Sequence, residues 1–190
     1  MLRTGDGAAI AQATGKQRGV EVGHAAWLPD DSVAGSGEHS RDGGVPGAWY
    51  AYFLTLLAET YGKTGQTEAG LAVLAEALDT LHKTGERWCE AEIYRLKGEL
   101  LWQQVQGKRP QTKIALEAEA CVQPALGIAR QQHTKSLELR AALSLSRLWQ
   151  HQGKCEEARQ LLAEIAGWFT EGFDAADVAE ARALLQELGV

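Results

Sequence analysis

The chain has 190 residues, 45% hydrophobic and 23% charged, with a net charge of −6. This suits one globular domain with a sizeable core, and the acidic balance excludes general nucleic-acid binding, which needs clustered Lys and Arg. No apolar run approaches the roughly 20 residues of a membrane span, and MLRTGDGAAIAQATGKQRG lacks the apolar stretch of a secretion signal, so no membrane partner and a cytoplasmic location are expected.

Residues 1–47 hold ten of the 21 glycines and two of the four prolines, Pro29 and Pro46. Glycine loses most entropy on ordering, and few large apolar groups offset that loss. The segment therefore reads as disordered, with packing through Trp27 and Leu28 as the alternative. Residues 48–190 form the expected folded domain. WYAYFLTLLAETYGK carries an apolar helical stripe. TEAGLAVLAEALDTLHKTG repeats Leu71, Leu74, Leu78 and Leu81 at helical spacing and stops at Gly85. GERWCEAEIYRLKGELLWQQV gathers Ile93, Leu96, Leu100 and Leu101 on one face. After QGKRPQT, KIALEAEACVQPALGIARQQ is helical again around Pro124, which removes a donor and is expected to kink it. HTKSLELRAALSLSRLWQHQG and KCEEARQLLAEIAGWFTEGF are the fifth and sixth helices, and DAADVAEARALLQELGV the seventh, with Asp174 expected as its N-cap. No segment reads as a strand.

The helices come in similar pairs. Leu145, Ser146, Trp149, Gly153, Ala158, Leu162 and Ile165 fall at the spacings of the tetratricopeptide repeat, which that stretch resembles. Small residues at 146 and 158 let the two helices approach, and Gly153 makes the turn. Gly98 is expected to face Ala118 in the same way, and Ala58, Tyr61, Gly65, Ala69 and Leu78 give a first, more degenerate copy. The fold class read from this is all-α: a tetratricopeptide-like solenoid of three helical hairpins, a C-terminal capping helix and a disordered N-terminal segment. Residues from about Tyr52 to Leu188 also resemble the C-terminal repeat region of bacterial signalling proteins. Those couple a class III adenylate/guanylate cyclase, or a helix-turn-helix activator, to an ATPase and then to such repeats. The resemblance implies a non-catalytic interaction or regulatory array, attached to or detached from such a partner domain.

Direct tests for chemistry agree with that expectation. ATGKQ (residues 13–17) and YGKTG (61–65) both lack the first glycine of a phosphate-binding loop, and no nucleophile elbow or His-Glu-x-x-His motif occurs. Cys89, Cys121 and Cys155 form no Cys-x-x-Cys pair and read as reduced thiols. His151 and Cys155 are four apart, but Gly153 breaks the face between them, so no metal or cofactor is expected. Lys154, Glu156 and Glu157 read as helix-start chemistry, and Trp88, Trp102, Trp149 and Trp168 as core. The candidate binding face is the concave surface lined by the first helix of each pair: Tyr52, Thr55, Glu59 and Lys63; Glu92, Arg95, Glu99 and Trp102; Arg140, Arg147 and His151. The bland reading of the same residues is a solvated face with pairs such as Glu92–Arg95. A protein partner is expected there; a small metabolite that governs an ATPase is the alternative.

Overall fold

The computed structural model describes residues 47–105, 113–172 and 175–189. Of the segment 1–47 expected to be disordered, residues 1–46 lie outside these, as do the QGKRPQT connection and Asp174 as a cap; Gly47 opens the first helix instead. Among the described residues there are seven helices and no strand: α1 (Gly47–Lys63), α2 (Thr67–Thr84), α3 (Glu90–Gln103), α4 (Lys113–Gln131), α5 (Lys135–His151), α6 (Cys155–Ala166) and α7 (Ala176–Glu187). The last begins one residue later than the sequence suggested, with Ala175 in extended conformation at its cap.

Each helix buries the stripe its spacing dictates. In α2 this is Gly70, Leu74, Ala77 and Leu81; in α6 it is Ala158, Leu162 and Ile165; in α7, Val178, Ala181 and Leu184. Full burial of each large aliphatic is worth about 1.5–3 kcal/mol. The helices α3 and α5 are buried on more than one face because each packs between several neighbours. Consecutive helices pack together, and α1 also meets α3, α3 meets α5, and α5 meets α7. The odd-numbered helices therefore form a row of their own. One cluster joins α1, α2 and α3 through Leu54, Leu74, Leu81, Ile93 and Leu100; another joins α4 to α7 through Val122, Leu139, Leu145, Leu162 and Val178.

Close approach within pairs depends on small residues. A Cβ on Gly98 would lie 2.3 Å from Val122 Cγ2 and 2.8 Å from the Ala118 carbonyl. Ser146, fully buried, donates its hydroxyl to the Ala158 carbonyl at 3.1 Å. Pro124 does not end α4. Its missing donor would have served Ala120, which is exposed, so water can satisfy that carbonyl.

One three-residue turn is used three times: Thr64–Gln66, Gln132–Thr134 and Gln152–Lys154. In each, the third residue's N–H reaches back five residues: Gln66 to Tyr61, Thr134 to Ala129, and Lys154 to Trp149, at 2.8–3.0 Å. The middle residue donates three residues back and adopts positive φ, +80° at Gly153. His133 fills that position at the α4–α5 turn with φ of 55°. A side chain there costs strain that a β-branched one worsens. His133→Val is expected to lower stability by about 1–2 kcal/mol, measured by urea unfolding, while His133→Gly loses nothing.

Trp168 corrects the sequence expectation. The stripe of α6 ends at Ile165, so Trp168 lies beyond it and is 67% exposed, with Lys135 Nζ 4.3 Å above its ring. Trp88, Trp102 and Trp149 are partly buried against the core.

Candidate functional site

The close-approach residues Ala58, Gly98 and Ser146 set equivalent positions on α1, α3 and α5. From them Tyr52, Glu92 and Arg140 correspond, as do Thr55, Arg95 and Leu143, and Glu59, Glu99 and Arg147. These positions share one face. A cleft of about 330 Å³ opens there, and every residue lining it comes from an odd-numbered helix: Glu59 and Lys63 of α1, Arg95, Glu99 and Gln103 of α3, Arg140, Ser144 and Arg147 of α5, and Asp177 and Glu180 of α7 among them.

The floor is a buried ion-pair network. Arg95 Nε and Nη2 donate to the two Glu92 carboxylate oxygens at 2.8 and 2.6 Å, and Nη1 lies 2.5 Å from Glu99 Oε1. Ser144 donates to the same Glu99 oxygen at 2.6 Å. Arg140 Nη2 reaches Glu92 Oε1 at 3.0 Å and its Nε lies 3.8 Å from Asp177. Burial works against the Arg95 charge, but Glu92 and Glu99 outweigh it and raise the guanidinium's pKa above its ordinary value. Two pairs at the rim are wetter: Lys63–Glu59 at 2.9 Å, and Arg147 with Glu180. Such pairs are worth about 0–1 kcal/mol and exchange readily for an incoming charge.

Of the residues picked from sequence, Glu59, Lys63, Arg95, Glu99, Arg140 and Arg147 line the cleft, and Glu92 lies beneath it. The Glu92–Arg95 pair is not the solvated surface pair of the bland reading; both side chains are 6–7% exposed, because α3 is covered by α1, α4 and α5. Thr55 is buried and donates to the Ala51 carbonyl at 2.8 Å. Tyr52 is buried with its ring 5.4 Å from Trp88, and burial raises its phenol pKa. Trp102 and His151 sit outside the lining, their rings 5.1 Å apart. Sequence reasoning missed the polar lining residues Gln103, Ser144, Asp177 and Glu180. The α7 pair was legible in principle, since α7 follows α6 as α5 follows α4.

No family model, curated protein or solved structure matches this chain. Among the described residues no three His, Cys, Asp or Glu side chains are grouped to hold a metal ion, and no helix is long and apolar enough to cross a membrane. Cys89 is buried and its thiol is pushed up to about 12, chiefly by desolvation, which leaves it unreactive at neutral pH. Cys155 is exposed at the start of α6.

A second polar cluster holds the α5–α6 turn onto α4. Glu119 accepts from Trp149 Nε1 at 2.8 Å and Gln152 Nε2 at 3.0 Å, with Lys154 Nζ at 3.5 Å. Burial acts to raise the carboxyl's pKa, but these partners outweigh it and hold the value below the ordinary 4.5. A depressed folded value means the cluster contributes fully above the unfolded pKa and is lost as pH falls through the folded one. Glu119→Gln is expected to cost about 1–2 kcal/mol at pH 7 and to flatten the fall in stability below about pH 4.5, read from urea midpoints against pH.

Proposed function

We propose that this chain is a non-catalytic interaction module: a tetratricopeptide-like stack of helical hairpins, capped by α7, whose first helices hold an extended segment of a protein partner. The observation that carries this is the convergence of α1, α3, α5 and α7 on one charged cleft, with a rigid buried floor and exchangeable rim pairs at Lys63 and Arg147. Arginine and aromatic groups are common anchors in such grooves. The resemblance over Tyr52–Leu188 extends the proposal to bacterial signalling in the cytoplasm, with the chain as a detached or truncated C-terminal part of a cyclase/ATPase-type protein. The cleft volume, at the lower end of small-ligand sites, supports a second reading, a polar metabolite sensor.

Two measurements separate these. Affinity capture is run with the full chain and with a Lys63→Ala, Arg147→Ala variant whose helicity is unchanged. Partners retained by the first and lost by the second support the module; identical sets contradict the cleft assignment. A nucleotide or sugar that raises the melting temperature by several degrees, with no captured partner, favours the sensor.

A further inference from the structure

The two cations that α5 offers the cleft are met by α7 unequally. Arg140 is 17% exposed, so its charge has left most of its water. Its Nη2 lies 3.0 Å from Glu92, but its second carboxylate, Asp177 of α7, stands 3.8 Å from Nε, beyond hydrogen-bonding distance. Arg147, half exposed, meets Glu180 of the same helix. The spacing accounts for the difference. Arg140 and Arg147 are seven residues apart on α5, about 10.5 Å along its axis, whereas Asp177 and Glu180 are three apart on α7, about 4.5 Å. Carboxylates that close together serve one arginine well and the other badly. The cleft's other acids are committed elsewhere: Glu59 to Lys63, and Glu99 to Arg95 and Ser144. Asp177 and Glu180 are 43% and 36% exposed, while α7 is anchored by its other face through Val178, Ala181 and Leu184. Both acids can swing into water with α7 still in place, which takes two negative charges out of the cleft.

Resting on the reading that the cleft holds an extended partner segment, we propose that this segment is acidic, with two carboxylates three residues apart that take Arg140 and Arg147, and that Asp177 and Glu180 are tethered competitors for the same arginines. In the polyproline II conformation, a major one of unfolded chains, residues three apart project to the same side and lie about 9 Å apart. That is close to the arginine spacing, so each guanidinium can receive its own carboxylate in a charge-assisted hydrogen bond, which Asp177 does not give Arg140. Exposed pairs of the Arg147–Glu180 kind are worth about 0–1 kcal/mol, so a well-spaced segment displaces them at little cost. A segment whose acids are fewer or wrongly spaced gains nothing over the acids already there. The chain's own α7 thus sets the selectivity of the cleft.

The probes are three fluorescein-labelled nonapeptides added to the full chain at low salt, read by anisotropy: three repeats of Glu-Pro-Pro, the same residues with the glutamates adjacent, and three repeats of Lys-Pro-Pro. The spaced acidic peptide is expected to bind about fivefold tighter than the adjacent one. Arg147→Gln weakens it about fivefold, and Asp177→Asn with Glu180→Gln tightens it by a similar factor, with circular dichroism unchanged in both. The gain is the decisive reading, since damage to the fold does not produce tighter, spacing-dependent binding. Equal binding of the two acidic peptides, or no gain in the α7 variant, overturns the inference. A preference for the lysine peptide that the α7 variant loses also overturns it, yet leaves the cleft as a site for a protein segment. If none of the peptides binds, the acidic assignment falls, and the capture experiment with Lys63→Ala, Arg147→Ala alone decides the module reading.

Discussion

Glu92→Ala is expected to lower the unfolding free energy by about 3 kcal/mol, the largest single loss from any charged position in this chain. Glu92 accepts both hydrogen bonds of a bidentate pair, from Arg95 Nε and Nη2, and also holds Arg140 of α5. Its removal leaves Arg95, 7% exposed, with only Glu99 and Ser144, and leaves Arg140 with Asp177 at 3.8 Å. A guanidinium cannot shed its proton to escape burial, so the cost appears as lost stability. The pair as a whole is worth much less than either half, because bringing two charges out of water offsets most of their attraction. Replacing both Glu92 and Arg95 by methionine should therefore destabilise less than Glu92→Ala alone. Urea unfolding of the two variants beside the parent chain checks this; equal losses for the single and double variants would show that the pair is not desolvated.

Gly98→Ala is the second large effect, and its sign opposes helix propensity. Alanine in an open helix interior gains about 0.5–1 kcal/mol over glycine. At Gly98 the added methyl meets Val122 Cγ2 at 2.3 Å and the Ala118 carbonyl oxygen at 2.8 Å. The valine can shift, but the carbonyl belongs to the α4 backbone and moves only if the two helices part. A net loss of about 2 kcal/mol is expected. Gly127, in α4 with nothing within 4 Å of its would-be Cβ, gives the contrast. Gly127→Ala is expected to gain about 0.5–1 kcal/mol. Opposite shifts in melting temperature for the two variants check the argument.

These two positions also show what was legible in the sequence. Gly98 against Ala118, Ser146 against Ala158 and the Gly153 turn could be read in advance, because each depends on spacing within one hairpin. The first-helix face was legible for the same reason, since Glu59, Glu99 and Arg147 recur in register. The burial of Glu92 and Arg95 was not, because it is decided by α5, which closes over α3 from 49 residues away in sequence, where Arg95 meets Ser144. The Glu119 cluster was hidden likewise: its partners Trp149, Gln152 and Lys154 lie 30–35 residues on. His133 in a glycine position carries no sequence signal, since the turn it completes is recognisable only from the hydrogen bonds it repeats.

The most direct test of a shared first-helix face is a double-mutant cycle between Glu92 of α3 and Arg140 of α5, which meet at 3.0 Å. Each is changed to alanine alone and together, and unfolding free energies are compared. A coupling of about 1 kcal/mol or more is the expected result. Effects that add within about 0.3 kcal/mol would mean that the two helices do not bring these side chains together, and the cleft built on them would not exist.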